Sequence, residues 1–143
     1  MRKILSIAIL LCSVQSVFAA EDPYIQTVKD IYNLSKRSQN SMQVLEFYSD
    51  TSLKDAFDLH TQNGEVCGFD HDVLWESQDP EYNRSLKFMK LGKNQVKVSL
   101  GKGKWDRAGT VILTLKCDGN DCKVRDVRDS SGSLKNNILR ECR

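Results

Sequence analysis

Apolar residues between Tyr24 and His60 recur at intervals of three and four, whereas those after Gln95 alternate with polar ones. The first spacing marks helices with one buried stripe; the second marks half-buried strands. Asp22 followed by Pro23 starts the first helix, because aspartate caps free amides and proline is preset for the first turn. Its stripe is Tyr24, Ile25, Val28, Ile31, Tyr32 and Ser35, and the polar run "KRSQNS" interrupts it. A second helix covers Met42 to Tyr48, with Met42, Leu45 and Tyr48 on one side. In "SDTSLKDAFDLH", Ser52 is expected to cap a third helix with Asp55 in its first turn. Leu53, Ala56, Phe57 and His60 line the inner face of that helix.

After Asn63-Gly64 the pattern turns to strand, which places Cys67 on the first strand. "KNQVKVSLG" puts Val96, Val98 and Leu100 on one face, and "GTVILTLKC" does the same for Val111, Leu113, Leu115 and Cys117. Val124 and Val127 stand three apart, so they share a face only if a bulge intervenes near Arg125 and Asp126. Ser133 then caps a short helix on which Leu134, Ile138 and Cys142 recur every fourth residue. Helices first, then hairpin-linked strands, then a helix predict an α+β fold. The N-terminal helices pack on a strongly curved antiparallel sheet, with a short C-terminal helix, in one domain over residues 20–143.

The segment before this domain changes the picture. "MRK", the apolar run "ILSIAILLCSVQSVF" and the small residues Val17 and Ala19 have the three-part layout of a secretory signal peptide, residues 1–19. The apolar run is shorter than the roughly 20 residues needed to span a bilayer. Cleavage after Ala19 removes Arg2 and Lys3, leaving 19 Lys and Arg against 19 Asp and Glu. That neutral chain is unevenly charged: residues 20–83 sum to −9, residues 84–107 to +7, and the remainder to +2. Such blocks form solvated faces or a docking surface for an oppositely charged partner.

Cleavage also leaves four cysteines, Cys67, Cys117, Cys122 and Cys142. An even count in an exported chain indicates disulfides, and the compartment is periplasmic or extracellular. A two-residue Gly119-Asn120 turn places Cys117 opposite Cys122 as a non-hydrogen-bonded pair, close enough to bridge. Cys67 and Cys142 form the remaining pair, tying the first strand to the last helix. A zinc site would need a second close Cys or His pair, so no metal and no cofactor is expected.

"FDHDVLWESQD", residues 69–79, concentrates the polar chemistry. As a calcium loop it fails, because Leu74 and Trp75 occupy positions that require a ligand and a glycine. His71 with Asp70 and Asp72 offers too few ligands for a transition metal, with only His60 to help. Asp70 or Asp72, desolvated beside Trp75, would serve as a general acid or base. The plainer expectation is a strand start and turn in which aspartates accept bonds from backbone amides.

This segment resembles the Asp-x-Asp … Gln-Asp stretch of a bacterial envelope family known as domain of unknown function 3828. The helix "YIQTVKDIY", the phrase "YSDTSL", the strand "CKVRDV" and the closing "SLKNNIL" follow in that family's order. The resemblance implies the cone-shaped, SnoaL-like and cystatin-like roll shared with nuclear transport factor two and ketosteroid isomerase, with a pocket at its open end. It supplies no reaction, but it makes Asp70, Asp72, Gln78 and Asp79 candidate pocket residues alongside Trp75. Asp126 shares a strand face with Cys122 and Val124 and is a further candidate. Enzymes of that fold use an Asp or His base in the cone.

The function expected is an exported, non-enzymatic binding module holding a small ligand or protein in or beside its cone. Alternatives are an immunity protein that neutralises an antibacterial toxin in the periplasm, and a small hydrolase or isomerase using Asp72 or Asp126. Export and neutrality argue against nucleic acid, and no membrane partner is expected after cleavage; "SLGKGKWDRAG" is an exposed hairpin tip. The sequence leaves the oligomeric state open.

Overall fold

A computed structural model describes residues 21–64 and 67–142. The expected signal segment and its cleavage point lie outside the described residues. Helix α1, Pro23–Ser38, starts as its first residues dictate: Asp22 Oδ1 accepts the amides of Tyr24 and Ile25 at 2.9 and 3.4 Å. Val28, Ile31, Tyr32 and Ser35 are buried, together with Thr27. Gln39 then takes a left-handed conformation, φ 51°, and reverses the chain. "KRSQNS" is therefore the last turn of α1, the reversal and the start of α2, Ser41–Tyr48, which Asn40 caps.

Helix α3, Thr51–Gln62, buries Leu53, Ala56, Phe57 and His60 as the spacing predicts. Its cap is Asp50, not Ser52. Ser49 pairs with Val124 at the sheet edge and the Asp50 amide reaches the Val124 carbonyl at 2.8 Å. That contact fixes where the chain leaves extended conformation, so the Asp50 carboxylate meets the Leu53 amide at 3.0 Å. Ser52 lies inside the helix; its hydroxyl donates to the same carboxylate at 2.9 Å and accepts from Lys135 at 3.4 Å.

The strands are β1 Leu86–Leu91, β2 Gln95–Leu100, β3 Gly109–Asp118, β4 Asp121–Asp129 and β5 Gly132–Ser133. They form one antiparallel sheet in chain order. The pairing skips one residue of β4, since Thr114 faces Asp126 and Leu115 faces Val124. Arg125 is the bulged residue, and both Val124 and Val127 consequently point into the core. Cys67 and the residues to Asp79 lie outside the five strands, contrary to expectation; only an isolated bridge joins Asp72 to Ser77. The first strand is instead β1. Its edge position leaves Lys87 and Met89 exposed, which weakens the alternation that would have marked it.

Helices cover one face of this sheet, giving the expected α+β class. Tyr32, Phe57, Leu74 and Trp75 fill the space between the layers, all at most 1% exposed. Full burial of side chains of this size stabilises by about 1.5–3 kcal/mol each. Helix α4, Leu134–Glu141, is capped by Ser133 and buries Leu134 and Ile138; Cys142 follows at its end. Both expected disulfides are present: Cys117–Cys122 across the Gly119-Asn120 turn, and Cys67–Cys142. The second joins a loop, rather than a strand, to the end of α4. Gly68 makes that approach: a Cβ there would stand 2.8 Å from the Ile138 backbone. Among the described residues no helix is long and apolar enough to cross a membrane.

Candidate functional site

The reversal at Gln39 brings Ser41, the first residue of α2, against Ser35 in the last turns of α1. Their hydroxyl oxygens are 2.6 Å apart. The Trp75 indole donates to Ser35 Oγ at 2.7 Å, and Ser41 Oγ donates to Asp72 Oδ2 at 2.6 Å. Each hydroxyl has a single proton, so Ser35 donates to Ser41 and the bonds run one way, from indole to carboxylate. Asp72 Oδ1 accepts the amides of Leu74 and Trp75 at 3.0 and 3.2 Å. This carboxylate therefore ends a buried chain of donors and folds the 72–77 turn. Burial pushes its pKa up, and the bonds from Ser41 and the two amides pull it back. Tyr32 donates to the Leu74 carbonyl at 2.7 Å, and its own pKa is pushed far up by burial.

Next to Asp72, the His71 ring meets a carboxylate at each nitrogen. Nε2 lies 2.5 Å from Asp129 Oδ2, whose side chain is nearly withdrawn from water, and Nδ1 lies 3.4 Å from Asp70 Oδ1. The hydrogen bond to Asp129 is the main reason the imidazole pKa is raised. His60 Nδ1 donates to the Cys67 carbonyl at 2.7 Å, and its ring stacks on Phe69 with centroids 4.2 Å apart. A carbonyl only accepts, which assigns the proton to Nδ1.

These side chains form one wall of an open groove of about 650 Å³ between α2, the end of α3 and the 69–78 loop. Met42 and Phe69 supply apolar surface, while Gln43, Glu46, Asp70 and Gln78 stand exposed along it. The groove collects Asp70, Asp72 and Gln78 of the sequence candidates. Trp75 lies behind it in the core, edge-on to Tyr32 and Tyr82. Asp79 is not among the lining residues; it is exposed, with its amide donating to Ser77 Oγ at 3.2 Å. Asp126 belongs to another place. It accepts from Ser133 Oγ at 2.6 Å and the Lys135 amide at 3.1 Å, tying the start of α4 to β4.

Several residues that shape the site escaped sequence reading. Glu76, at φ 50°, accepts the amides of Thr110 and Ser130 at 3.0 and 2.8 Å and so anchors the loop to two other segments. Arg84 is buried, donating to the carbonyls of Trp75 and Gly101 at 2.7 and 2.8 Å and to that of Arg107. Ser35 carried the one usable signal: a hydroxyl on a buried stripe requires a partner. Among the described residues, His60, Cys67 and Cys142 are the group with ligand atoms close enough for a metal. Their two sulfurs are bonded to each other, so no thiolate is available to bind one. Compared with family models, curated proteins and solved structures, the chain finds no match in any of the three.

Proposed function

We propose that this protein is an exported, non-enzymatic binding module whose groove holds a cationic ligand or a basic side chain of a partner protein. The observation that carries this reading is the division among the groove acids. Among the described residues, Asp72 spends three bonds inward, whereas the Glu46 side chain makes none and Asp70 makes two long ones, of 3.4 Å each, to His71 and Gln78. The outward pair leaves negative charge unspent at the rim, where a cation can reach it. Export is supported by the two disulfides and by the amino-terminal pattern.

Binding is favoured over the hydrolase or isomerase alternative because a general base needs a vacant lone pair facing the substrate. Both His71 nitrogens face carboxylates, three of the roughly four acceptor positions of Asp72 are filled, and Asp126 accepts from Val127, Ser133 and Lys135. An immunity protein is the protein-partner form of the same reading, since the groove is wide open to a side chain from outside.

Calorimetric titration with pentalysine and pentaglutamate tests it. Pentalysine is expected to bind saturably and more weakly as salt rises. The double variant Glu46→Gln, Asp70→Asn should lose about tenfold, the sum of two exposed ion pairs. Equal affinity for both peptides, or an unchanged double variant, removes the groove from consideration.

A further inference from the structure

The connection between β2 and β3, residues 101–108, was expected to be an ordinary exposed tip. Its surroundings are not ordinary. The Glu81 carboxylate accepts three successive amides of the loop, those of Lys104, Trp105 and Asp106. Arg84, with its side chain fully buried, binds the Gly101 and Arg107 carbonyls at the loop's two ends and pairs with Asp106 at 3.6 Å. Asp106 also accepts from Ser77 Oγ at 2.8 Å and the Glu81 amide at 3.1 Å. At Gly103 a Cβ would sit 2.7 Å from the Glu81 carboxylate, so the loop closes tightly over it.

This framework holds up one side chain that gains nothing from it. Trp105 is 80% exposed, and the other tryptophan, Trp75, is fully buried. Lys102, Lys104 and Arg107 flank Trp105, all exposed, with the Lys104 ammonium 4.7 Å over its ring. The exposed charges beside the ring are thus the three cations, because the Glu81 and Asp106 carboxylates are turned onto backbone amides; Glu76 and Asp129 line the hollow on the ring's other side. The backbone beneath this ring is already held, so contact would have to order side chains alone.

We propose that the Trp105 tip is a peripheral contact for an anionic lipid bilayer. Tryptophan favours the headgroup level, and neighbouring Lys and Arg are drawn to negatively charged lipid. Residues 101–108 are eight in number, well short of the roughly 20–30 residues that each partner gives to a stable protein interface. A bilayer surface asks only for the ring and the cations. The contact is superficial, in keeping with the absence of a spanning helix among the described residues. It does not depend on the groove.

Disulfide-intact protein is mixed with vesicles of phosphatidylglycerol and phosphatidylcholine in equal parts, and with pure phosphatidylcholine vesicles. Co-sedimentation is expected with the first alone, with a blue shift of Trp105 emission and reversal by salt. Trp105→Ala should weaken it about tenfold, and Lys102→Glu with Lys104→Glu should lose at least about fivefold per charge. In Trp105→Ala the remaining emission comes from buried Trp75 and verifies the fold. Phe47→Ala, at another exposed aromatic, should leave binding unchanged. The proposal is overturned by absence of wild-type binding at low salt, by equal binding of Trp105→Ala, or by an equal loss in Phe47→Ala. A Trp105-dependent complex with a soluble acidic protein, without vesicle binding, would also overturn it.

Discussion

At His71 two carboxylates converge on one imidazole, and the cation they favour is part of what holds the 69–78 loop to the end of β4. The folded pKa is raised above the unfolded value of about 6.5. A group of this sign contributes its stability fully below about pH 6.5 and loses it as pH rises through the folded value. His71→Gln should therefore cost about 1.5–3 kcal/mol near pH 5, the worth of a hydrogen bond between charged groups. The gap to wild type should narrow toward about pH 9. Urea unfolding at both pH values measures it, and a gap independent of pH would show that the ring acts through packing alone.

Among the elements, the 69–85 connection stands out because it has no strand or helix of its own and is still held at many points. Asp72, Glu76 and Glu81 accept amides from it or from its neighbours, and Arg84 collects carbonyls from three directions. Replacing Arg84 by methionine keeps most of the volume but strands three carbonyls and takes the paired cation from the Asp106 carboxylate, which keeps its bonds from Ser77 and Glu81. Removing one partner of a buried pair typically costs about 3–5 kcal/mol. Arg84→Met should fall in that range by chemical denaturation. It should also free the β2–β3 loop, read as faster amide exchange at Lys104 and Trp105. A loss below about 1 kcal/mol, the range of surface ion pairs, would mean water replaces the guanidinium.

For the molecule as a whole, the two disulfides act on different lengths of chain. Cys67 and Cys142 are 75 positions apart and Cys117 and Cys122 only 5. Loop-closure entropy assigns about 4.5 kcal/mol to the first and about 2 kcal/mol to the second. Cys67→Ser with Cys142→Ser should thus lower the melting temperature far more than Cys117→Ser with Cys122→Ser, and equal melting temperatures would contradict the ordering. Charge also acquires its meaning at this scale. The matured chain would be neutral, yet Asp22, Asp50, Asp72, Asp126 and Glu81 are turned onto backbone amides. Lys87, Lys97, Lys116 and Arg128 take part in no ion pair among the described residues, so the outward field differs from the formal sum.

Helix starts at Asp22 and Ser133, the hairpin at Gly119-Asn120, the bulge at Arg125 and both sulfur pairings were legible in the chain. Each depends on near neighbours, on a two- or four-residue period, or on elimination among four cysteines. The helix α3 start was displaced because a sheet edge, remote in sequence, decides it. Strand β1 was illegible because an edge strand buries too little to show its alternation. The grouping of Asp70, Asp72 and Gln78 followed from the family resemblance, and nothing in the chain showed that Asp72 ends a donor chain begun at Trp75 or that Asp126 serves α4. The first needs residues 31 and 40 positions apart to meet, and the second needs the chain to turn back over separations of 7 and 9 between β4 and the start of α4. Local pattern thus determined the elements, the fold class and the covalent links. Only the folded chain decided which carboxylates are spent inward and which remain at the groove, because hydrogen bonding between distant segments is set by packing and not by order along the chain.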